Sequence, residues 1–209
     1  RVFFIVSNKN METVASKILE TARNQSVFRA NDIQGGHDPR STLRRMVTRG
    51  ELIQAGRGLY ALPDAEVSAN HALAEASKCH PGGVICLISA LVFHGIGTQM
   101  PYETWMMRRD RKAPPTQGPP VRFVYCTGSA FFHGMETHAI EGVTVQVYAP
   151  AKTVADCFKY RNKIGMDVAV EALREGWRAG RFTMDELWAA AKACRVQGVI
   201  QPYLEMLAQ

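Results

Sequence analysis

The spacing of apolar residues predicts a helix over residues 38–49. Leu43, Met46 and Val47 recur at intervals of three and four positions, so on a helix they form one stripe that faces a core. Asp38 suits the start of this helix, because its carboxylate accepts hydrogen bonds from the first free N–H groups. The glycine after residue 49 is typical of a position just past a helix end. We therefore expect a short amphipathic helix whose other face is exposed.

Shorter elements on both sides of this helix complete a recognisable order. A helical stretch at residues 29–33 and a glycine turn at 34–37 precede it. Two short strands follow at 52–54 and 59–62, and Gly56-Arg57-Gly58 joins them. Helix, turn, helix and hairpin in this order predict a winged helix-turn-helix.

The face opposite the apolar stripe carries arginines and hydroxyl groups. Arginine binds phosphates and the acceptor edge of guanine, and hydroxyl groups bind phosphates or bases. We therefore predict a DNA-recognition helix with a wing, whose contacting residues are Arg40, Ser41, Thr42, Arg44, Arg45, Arg49 and Arg57. Two other interpretations remain open, because charged outer faces also occur on helices without a ligand and winged helices also serve as protein-interaction modules.

The positive charge of the chain is concentrated in the same region. Residues 1–63 hold ten Lys or Arg against five Asp or Glu, whereas residues 64–209 hold fifteen against fourteen. Nearly all of the net charge of +6 therefore lies in and just before the predicted recognition helix. This distribution attracts a phosphate backbone and makes binding sensitive to salt, which favours DNA binding.

After residue 63 the pattern changes to helices, then strands, then helices again. β-Branched runs predict strands, and apolar spacings of three and four predict helices. Thr183 with Glu186 three residues later forms a capping box at a helix start. The expected helices lie at 64–78, 90–94 with Ser89 as cap, 150–163, 166–178, from 183 onward and around 203–207, and the expected strands at 104–107, 121–125 and 143–148.

These elements predict an α+β protein of two domains. A winged helix-turn-helix at residues 11–63 precedes a larger α+β domain at 64–209, which has a small sheet and a helical C-terminal tail. Residues 1–10 read as an extension or vector remnant, because Met11 resembles a natural start and the brief apolar patch lacks a cleavage site. The second domain is nearly neutral, so we expect it to fold independently and to bind a partner other than promoter DNA.

Composition excludes several classes of protein. Of the 209 residues, 46% are hydrophobic and 21% are charged, and no apolar run approaches the ~18 residues of a membrane span. The five cysteines are scattered without a CxxC pair, which predicts free thiols in a reducing cytoplasm and no structural zinc. The nearest approach to a ligand cluster is Cys79, His80, Cys86 and His94, and its spacing matches no metal site. We therefore predict no metal and no cofactor.

No catalytic motif stands out. The sequence has no GK[ST] phosphate loop, no GxSxG and no HExxH, so we predict no enzymatic activity. Lys152, Thr153 and Asp156 cluster on one helix, and we interpret Lys152 and Asp156 as an i,i+4 pair on the surface. The alternative is a metal-dependent nuclease with a winged-helix DNA-binding arm, which needs converging carboxylates and a nearby lysine. Glu136 and Glu141 flank a possible strand, but neither is followed two positions later by lysine.

A basic run, Arg108-Arg109-Asp110-Arg111-Lys112, precedes a proline-rich segment at 113–120. The simplest interpretation is a long solvated loop between two sheet strands, because neither strand could bury itself alone. Contact between the basic run and DNA or a partner is the other interpretation.

Three segments carry a resemblance to a known family. They are Arg57-Gly58-Leu59-Tyr60, the run ISALVFHG at 88–95, and the run YAPAKTVADCFKYR at 148–161. With these segments in this order, the chain from about Met11 onward resembles the AbiEi-family antitoxins of type IV toxin–antitoxin systems. The resemblance implies a transcriptional autorepressor whose N-terminal domain binds inverted repeats in its own promoter. It also implies a C-terminal domain that counters a partner toxin of the nucleotidyltransferase superfamily.

Overall fold

The protein has an α+β fold, as predicted, and a computed structural model describes its residues 13–35, 38–111 and 118–207. It divides into two compact units, with the boundary between Glu66 and Val67. We call these the N-terminal unit and the C-terminal unit. Parts of three predicted segments lie outside the described residues, namely the extension at 1–10, the end of the glycine turn at 36–37 and most of the proline-rich loop at 112–117.

The described part of the N-terminal unit contains helices and one hairpin. Its elements are α1 (Val14–Asn24), a 3₁₀ helix (Ala30–Asp32), α2 (Arg40–Thr48), β1 (Ile53–Gly56) and β2 (Leu59–Ala61). Strands β1 and β2 pair antiparallel. Phe28 and Tyr60 exchange two backbone hydrogen bonds of 2.9 Å, which tie the chain before the 3₁₀ helix to the hairpin. The predicted helix-turn-helix and wing are therefore present.

Helix α1 adds to the predicted elements. Thr13 caps it, because the Thr13 hydroxyl accepts a hydrogen bond from the Ser16 N–H at 3.2 Å. Ile18 and Ala22, four positions apart, are buried in one core with Leu43 of α2. This i,i+4 spacing behind a threonine cap is the sequence signal that identifies the helix.

The C-terminal unit combines a five-stranded sheet with helices. Its described elements are α3 (His71–Cys79), β3 (Val84–Ile85), α4 (Leu87–His94), β4 (Thr104–Arg108), β5 (Val121–Tyr125), α5 (Ser129–Phe132), β6 (Met135–Ile140), β7 (Val143–Tyr148), α6 (Pro150–Lys159), α7 (Arg161–Ile164), α8 (Met166–Arg178), α9 (Met184–Cys194) and α10 (Gln197–Leu207). The strand order is β5-β4-β3-β7-β6. The pairs β3–β7 and β4–β5 are parallel, and the other two pairs are antiparallel.

Helix α6 is the centre of the C-terminal core. Every residue from Ala151 to Phe158 is buried, because α4, α8 and α9 all pack around this helix. Pro150 lies in its first turn, where no backbone N–H is needed. The side chain of Tyr148, at the end of β7, is also fully buried, and its hydroxyl donates a 2.7 Å hydrogen bond to the carbonyl of Phe131. No helix in the described residues is long and apolar enough to cross a membrane.

The strands predicted at 104–107, 121–125 and 143–148 are confirmed, as is the helix at 166–178. The capping box is confirmed too: the Thr183 hydroxyl accepts from the Glu186 N–H at 3.2 Å, and the Glu186 carboxylate accepts from the Thr183 N–H at 2.7 Å.

Two predicted helix starts are wrong, and one predicted helix is shorter. The helix expected from residue 64 begins at His71, because Glu141 holds the preceding segment by accepting hydrogen bonds from the Ser68 N–H and the His71 ring. Ser89 does not cap α4, which already begins at Leu87; its hydroxyl accepts from the Trp105 N–H at 2.9 Å. The helix expected at 150–163 ends at Lys159, and α7 follows as a separate turn.

Candidate nucleic-acid interface

Helix α2 lies in the N-terminal unit with its apolar stripe inward, as the spacing predicts. Leu43 and Met46 are buried at 0% and 3% exposure, and Val47 is half-buried beside them. Asp38 accepts a hydrogen bond from the Arg40 N–H at 3.1 Å, which satisfies one of the free donors at the helix start. Gly50 ends the helix at a φ of 72°.

The outward face of α2 presents the side chains predicted to contact DNA. Arg40, Arg44 and Arg45 are exposed. So are Ser41, Arg49 and the wing residue Arg57, whereas Thr42 is half-buried.

The polar contacts of this face are few and exposed. Arg45 donates to the Thr42 hydroxyl at 3.3 Å, and Arg40 pairs with Asp38 at 3.3 Å. Arg49 lies 3.7 Å from Glu51. Exposed ion pairs of this kind contribute little stability, so a phosphate could replace them at small cost.

The wing is the β1–β2 hairpin with Arg57 at its tip. Gly58 has a φ of 69°, a conformation that favours glycine, whereas Gly56 has no such requirement. Leu59 is fully buried and anchors the second strand. The hairpin therefore holds Arg57 at an exposed turn. Of the two glycines that flank Arg57, only Gly58 has a backbone conformation that favours glycine.

The 3₁₀ helix, α2 and the hairpin border an open cavity of about 420 Å³. Three arginines line it, namely Arg29, Arg40 and Arg44. Polar side chains complete the wall: Asn31, Thr48, Gln54 and Tyr60. Because each of these arginines carries a positive charge and several N–H donors, this cavity suits an anion such as a phosphate.

Arg29 is a candidate residue that the sequence pattern missed. Its backbone N–H donates to the Asp32 carboxylate at 2.7 Å, which fixes the start of the 3₁₀ helix. Its Nε is buried without a hydrogen-bond partner among the described residues. Arg29 begins the predicted helical stretch at 29–33, but the sequence alone did not mark it as a site residue, because only the fold brings it beside the arginines of α2.

Lys152 and Asp156 are not the surface pair that their spacing suggested. Both are buried, at 1% and 0% exposure, and they form an ion pair inside the C-terminal core. Cys194 of α9 donates to the other oxygen of Asp156 at 3.2 Å, and the Lys152 ammonium lies 4.1 Å from the centre of the Tyr148 ring. The spacing of four residues correctly predicted that the two side chains are close to each other. The prediction that they lie on the surface is wrong, because α8 and α9 pack against α6.

Burial controls the protonation of this interior cluster. Burial, the largest single influence, would lower the pKa of Lys152, but the attraction of Asp156, its hydrogen bond and the neighbouring thiols of Cys194 and Cys126 together outweigh burial, and the pKa is raised. Burial, followed by the nearby Asp156 charge, raises the pKa of Cys194 to about 12. Lys152 is therefore held charged and the thiol neutral. With no exposure to solvent, the pair stabilises the core and offers no surface to a substrate.

Among the described residues, no group of three or more histidine, cysteine or acidic side chains is arranged to hold a metal ion. The two histidines of the sequence cluster Cys79, His80, Cys86 and His94 contact other protein groups. The His94 ring nitrogen Nε2 lies 2.7 Å from the Tyr148 carbonyl, and the His80 ring packs edge-on against Phe123.

A core-anchored helix with an arginine-rich outer face, preceded by a short helix and followed by a two-stranded wing, defines the N-terminal unit as a winged helix-turn-helix of the transcription-regulator class. Residues 16–63 match the family model of the transcriptional regulator AbiEi antitoxin. The resemblance seen in the sequence is therefore confirmed over this segment, which is similar to the AbiEi antitoxin regulators. The resembling runs at 88–95 and 148–161 lie outside the matched residues. No curated protein matches the chain.

Proposed function

We propose that this protein is a transcriptional autorepressor and antitoxin that binds inverted repeats in its own promoter and counters a nucleotidyltransferase-type toxin. The observation that carries the DNA-binding part is the set of exposed arginines on α2 and the wing, of which Arg40 and Arg44 line the cationic cavity together with Arg29. The match to the AbiEi antitoxin regulators supports the antitoxin part. The proposal assigns no catalysis to the chain, and its place of action is the cytoplasm, where the promoter lies.

The proposed contacts are of two kinds: contacts with phosphates, which position the protein on the DNA, and contacts with bases, which recognise the sequence. Arg29, Arg40 and Arg44 surround the cavity, and we assign them to the phosphate backbone, as we do Arg49 and Arg57. Arg45, together with Ser41 and Thr42, lies on the open face of α2, which enters the major groove in this class of domain. An inverted repeat then requires two copies of the chain related by a two-fold axis.

The first prediction tests the recognition helix by a mobility-shift assay with the DNA directly upstream of the gene. Arg45→Ala should weaken binding by about 1–3 kcal/mol if the guanidinium reads a guanine, because a bidentate contact to a base is lost. Arg44→Ala should weaken binding too, by removing a phosphate contact.

Arg23→Ala is the matched control, since Arg23 is exposed on α1 and does not line the cavity. The control should bind as the wild type does. Wild-type affinity in both the Arg44 and the Arg45 variants would refute the proposed interface.

The antitoxin part has a separate test. The gene next to this one should encode a nucleotidyltransferase-like toxin, and co-expression of this protein should restore growth to cells that express that toxin. Growth arrest that persists despite full expression of a folded protein would overturn this part and leave the promoter-binding part intact.

A further inference from the structure

The C-terminal unit has a concave surface to which the proposed function assigns no role. Its volume is about 720 Å³, within the range of pockets that bind organic ligands. We call it the α5 cleft, because α5 forms one wall and the end of β4 forms another. The side chains used here are Arg108, Arg109, Thr127, Phe131, Phe132 and Gln146.

An aromatic ring is held outward on this cleft. Helix α5 is a single turn, and it buries Phe131 at 4% exposure while Phe132 remains 56% exposed. The Arg109 guanidinium lies 5.0 Å from the centre of the Phe132 ring and 6.0 Å from that of Phe131. The hydrogen bond from the buried Tyr148 hydroxyl to the Phe131 carbonyl fixes this turn. A rigidly held, exposed phenylalanine under a guanidinium is a stacking platform.

The cleft keeps positive charge. Arg108 is paired with Asp110 at 2.6 Å, which accounts for the one acidic side chain on the wall. Arg109 makes no ion pair with any described residue, and Arg111, which follows in the chain but does not line the cleft, stacks over Tyr125 at 5.5 Å. Basic groups interleaved with aromatic rings suit a ligand that combines negative charge with planar rings.

We propose that the C-terminal unit binds single-stranded nucleic acid in the α5 cleft. An unpaired base stacks on Phe132, and Arg109 contacts both the base and a neighbouring phosphate. Thr127 and Gln146 also line the cleft, and because the Gln146 amide is already hydrogen-bonded to Thr137, we assign the contact with the base edge to Thr127. A duplex cannot use this platform, because its bases are already stacked on each other and offer only their edges.

This site lies in the C-terminal unit and shares no residue with the winged helix, and that unit is itself basic, with fifteen Lys or Arg against twelve Asp or Glu at residues 67–209. The basic run at 108–111 is therefore a binding element, not only a solvated loop. A single-stranded ligand would let the two units engage different forms of nucleic acid at the same time.

The test is a fluorescence-anisotropy titration of the full-length protein with fluorescein-labelled 12-nucleotide oligouridine and oligothymidine. Phe132→Ala should weaken binding about 5- to 150-fold, the range for loss of one stacked base. Phe132→Leu should weaken it similarly while keeping apolar bulk, which separates stacking from folding. Arg109→Ala should weaken binding and lower the salt slope by about 0.7.

Two controls match these changes. Trp188→Ala removes a ring that is 39% exposed on α9, and Arg174→Ala removes an exposed arginine of α8, and neither residue lines the cleft. Both should bind the oligonucleotides as the wild type does, and the Phe132 variants should still shift the promoter duplex. Binding of either oligonucleotide that depends on Phe132 supports the site, and the preferred sugar then identifies RNA or DNA as the source. Wild-type affinity in the Phe132→Leu and Arg109→Ala variants, or no binding of either oligonucleotide, would overturn it.

Discussion

Lys152 and Asp156 carry opposite charges in the interior of the C-terminal unit, where an unpaired charge is costly. Lys152→Met should lower the free energy of unfolding by about 3–5 kcal/mol, because it leaves the Asp156 carboxylate buried without its cation. Urea denaturation measures this loss. Lys163→Met, at an exposed lysine of α7, is the control and should change stability little.

The double variant Lys152→Met with Asp156→Leu isolates the cause. It removes both charges together, so it should regain most of the stability that the single variant loses. A double variant as unstable as Lys152→Met alone would mean that packing, and not the uncompensated charge, dominates at this position.

His94 makes the stability of the C-terminal unit depend on pH. Burial lowers the pKa of His94 below its ordinary value of 6.5, despite the hydrogen bond with the Tyr148 carbonyl. The folded state therefore favours the neutral ring. Its contribution is present above pH 6.5 and is lost as the pH falls through the lower, folded pKa.

We expect the melting temperature to fall between pH 6.5 and pH 5 more steeply in the wild type than in His94→Gln, whose amide can still donate to the carbonyl. His133→Gln serves as the histidine control and should retain the wild-type profile. Identical profiles in the wild type and the His94 variant would assign the acid sensitivity to another group.

At the scale of the element, the contribution of the wing to DNA binding can be tested apart from that of the recognition helix. Arg57 is exposed at the hairpin tip, so we assign it to a phosphate or the minor groove. Arg57→Ala should weaken binding to promoter and unrelated DNA alike, and it should lower the slope of log K against log salt by about 0.9. Titrations at several salt concentrations measure both effects. If the loss were confined to one operator base pair, Arg57 would instead be a base reader.

Elements with a local cause could be predicted from the sequence. Helix α2 was expected because its apolar stripe is regular, and α9 because Thr183 and Glu186 close a capping box within four residues. The start of α3 was missed because Glu141, about 70 positions away, holds the preceding chain. The burial of Lys152 was missed for the same reason, since helices far along the chain cover it. Local spacing gives neighbours, whereas burial depends on the tertiary fold.

The candidate site followed the same rule. The arginines of α2 and the wing could be named from the sequence, because a helix period sorts its inner face from its outer face. Arg29, Gln54 and Tyr60 could not, since they join the cavity only when the 3₁₀ helix and the hairpin pack beside α2. In the α5 cleft, the basic run was visible in the sequence, but its aromatic partner Phe132 was not.

At the scale of the whole molecule, we propose that the two units divide the work. A fragment beginning at Val67 should fold with a cooperative thermal transition, because the C-terminal unit has its own core. It should fail to shift the promoter duplex, retain binding of single-stranded oligonucleotides, and still protect cells from the toxin. A folded fragment that gives no protection, beside full-length protein that does, would refute this division of labour.

A thiol reagent can report on the C-terminal unit but not on the N-terminal unit, because of where the cysteines lie in the chain. All five are buried thiols outside any disulfide, and all lie in the C-terminal unit, between residues 79 and 194. A thiol reagent added to the native protein therefore meets no accessible sulfur until that unit opens. The rate of labelling then reports the rate at which the C-terminal unit opens. If labelling is slower with promoter DNA present, DNA binding at the winged helix stabilises the C-terminal unit against opening.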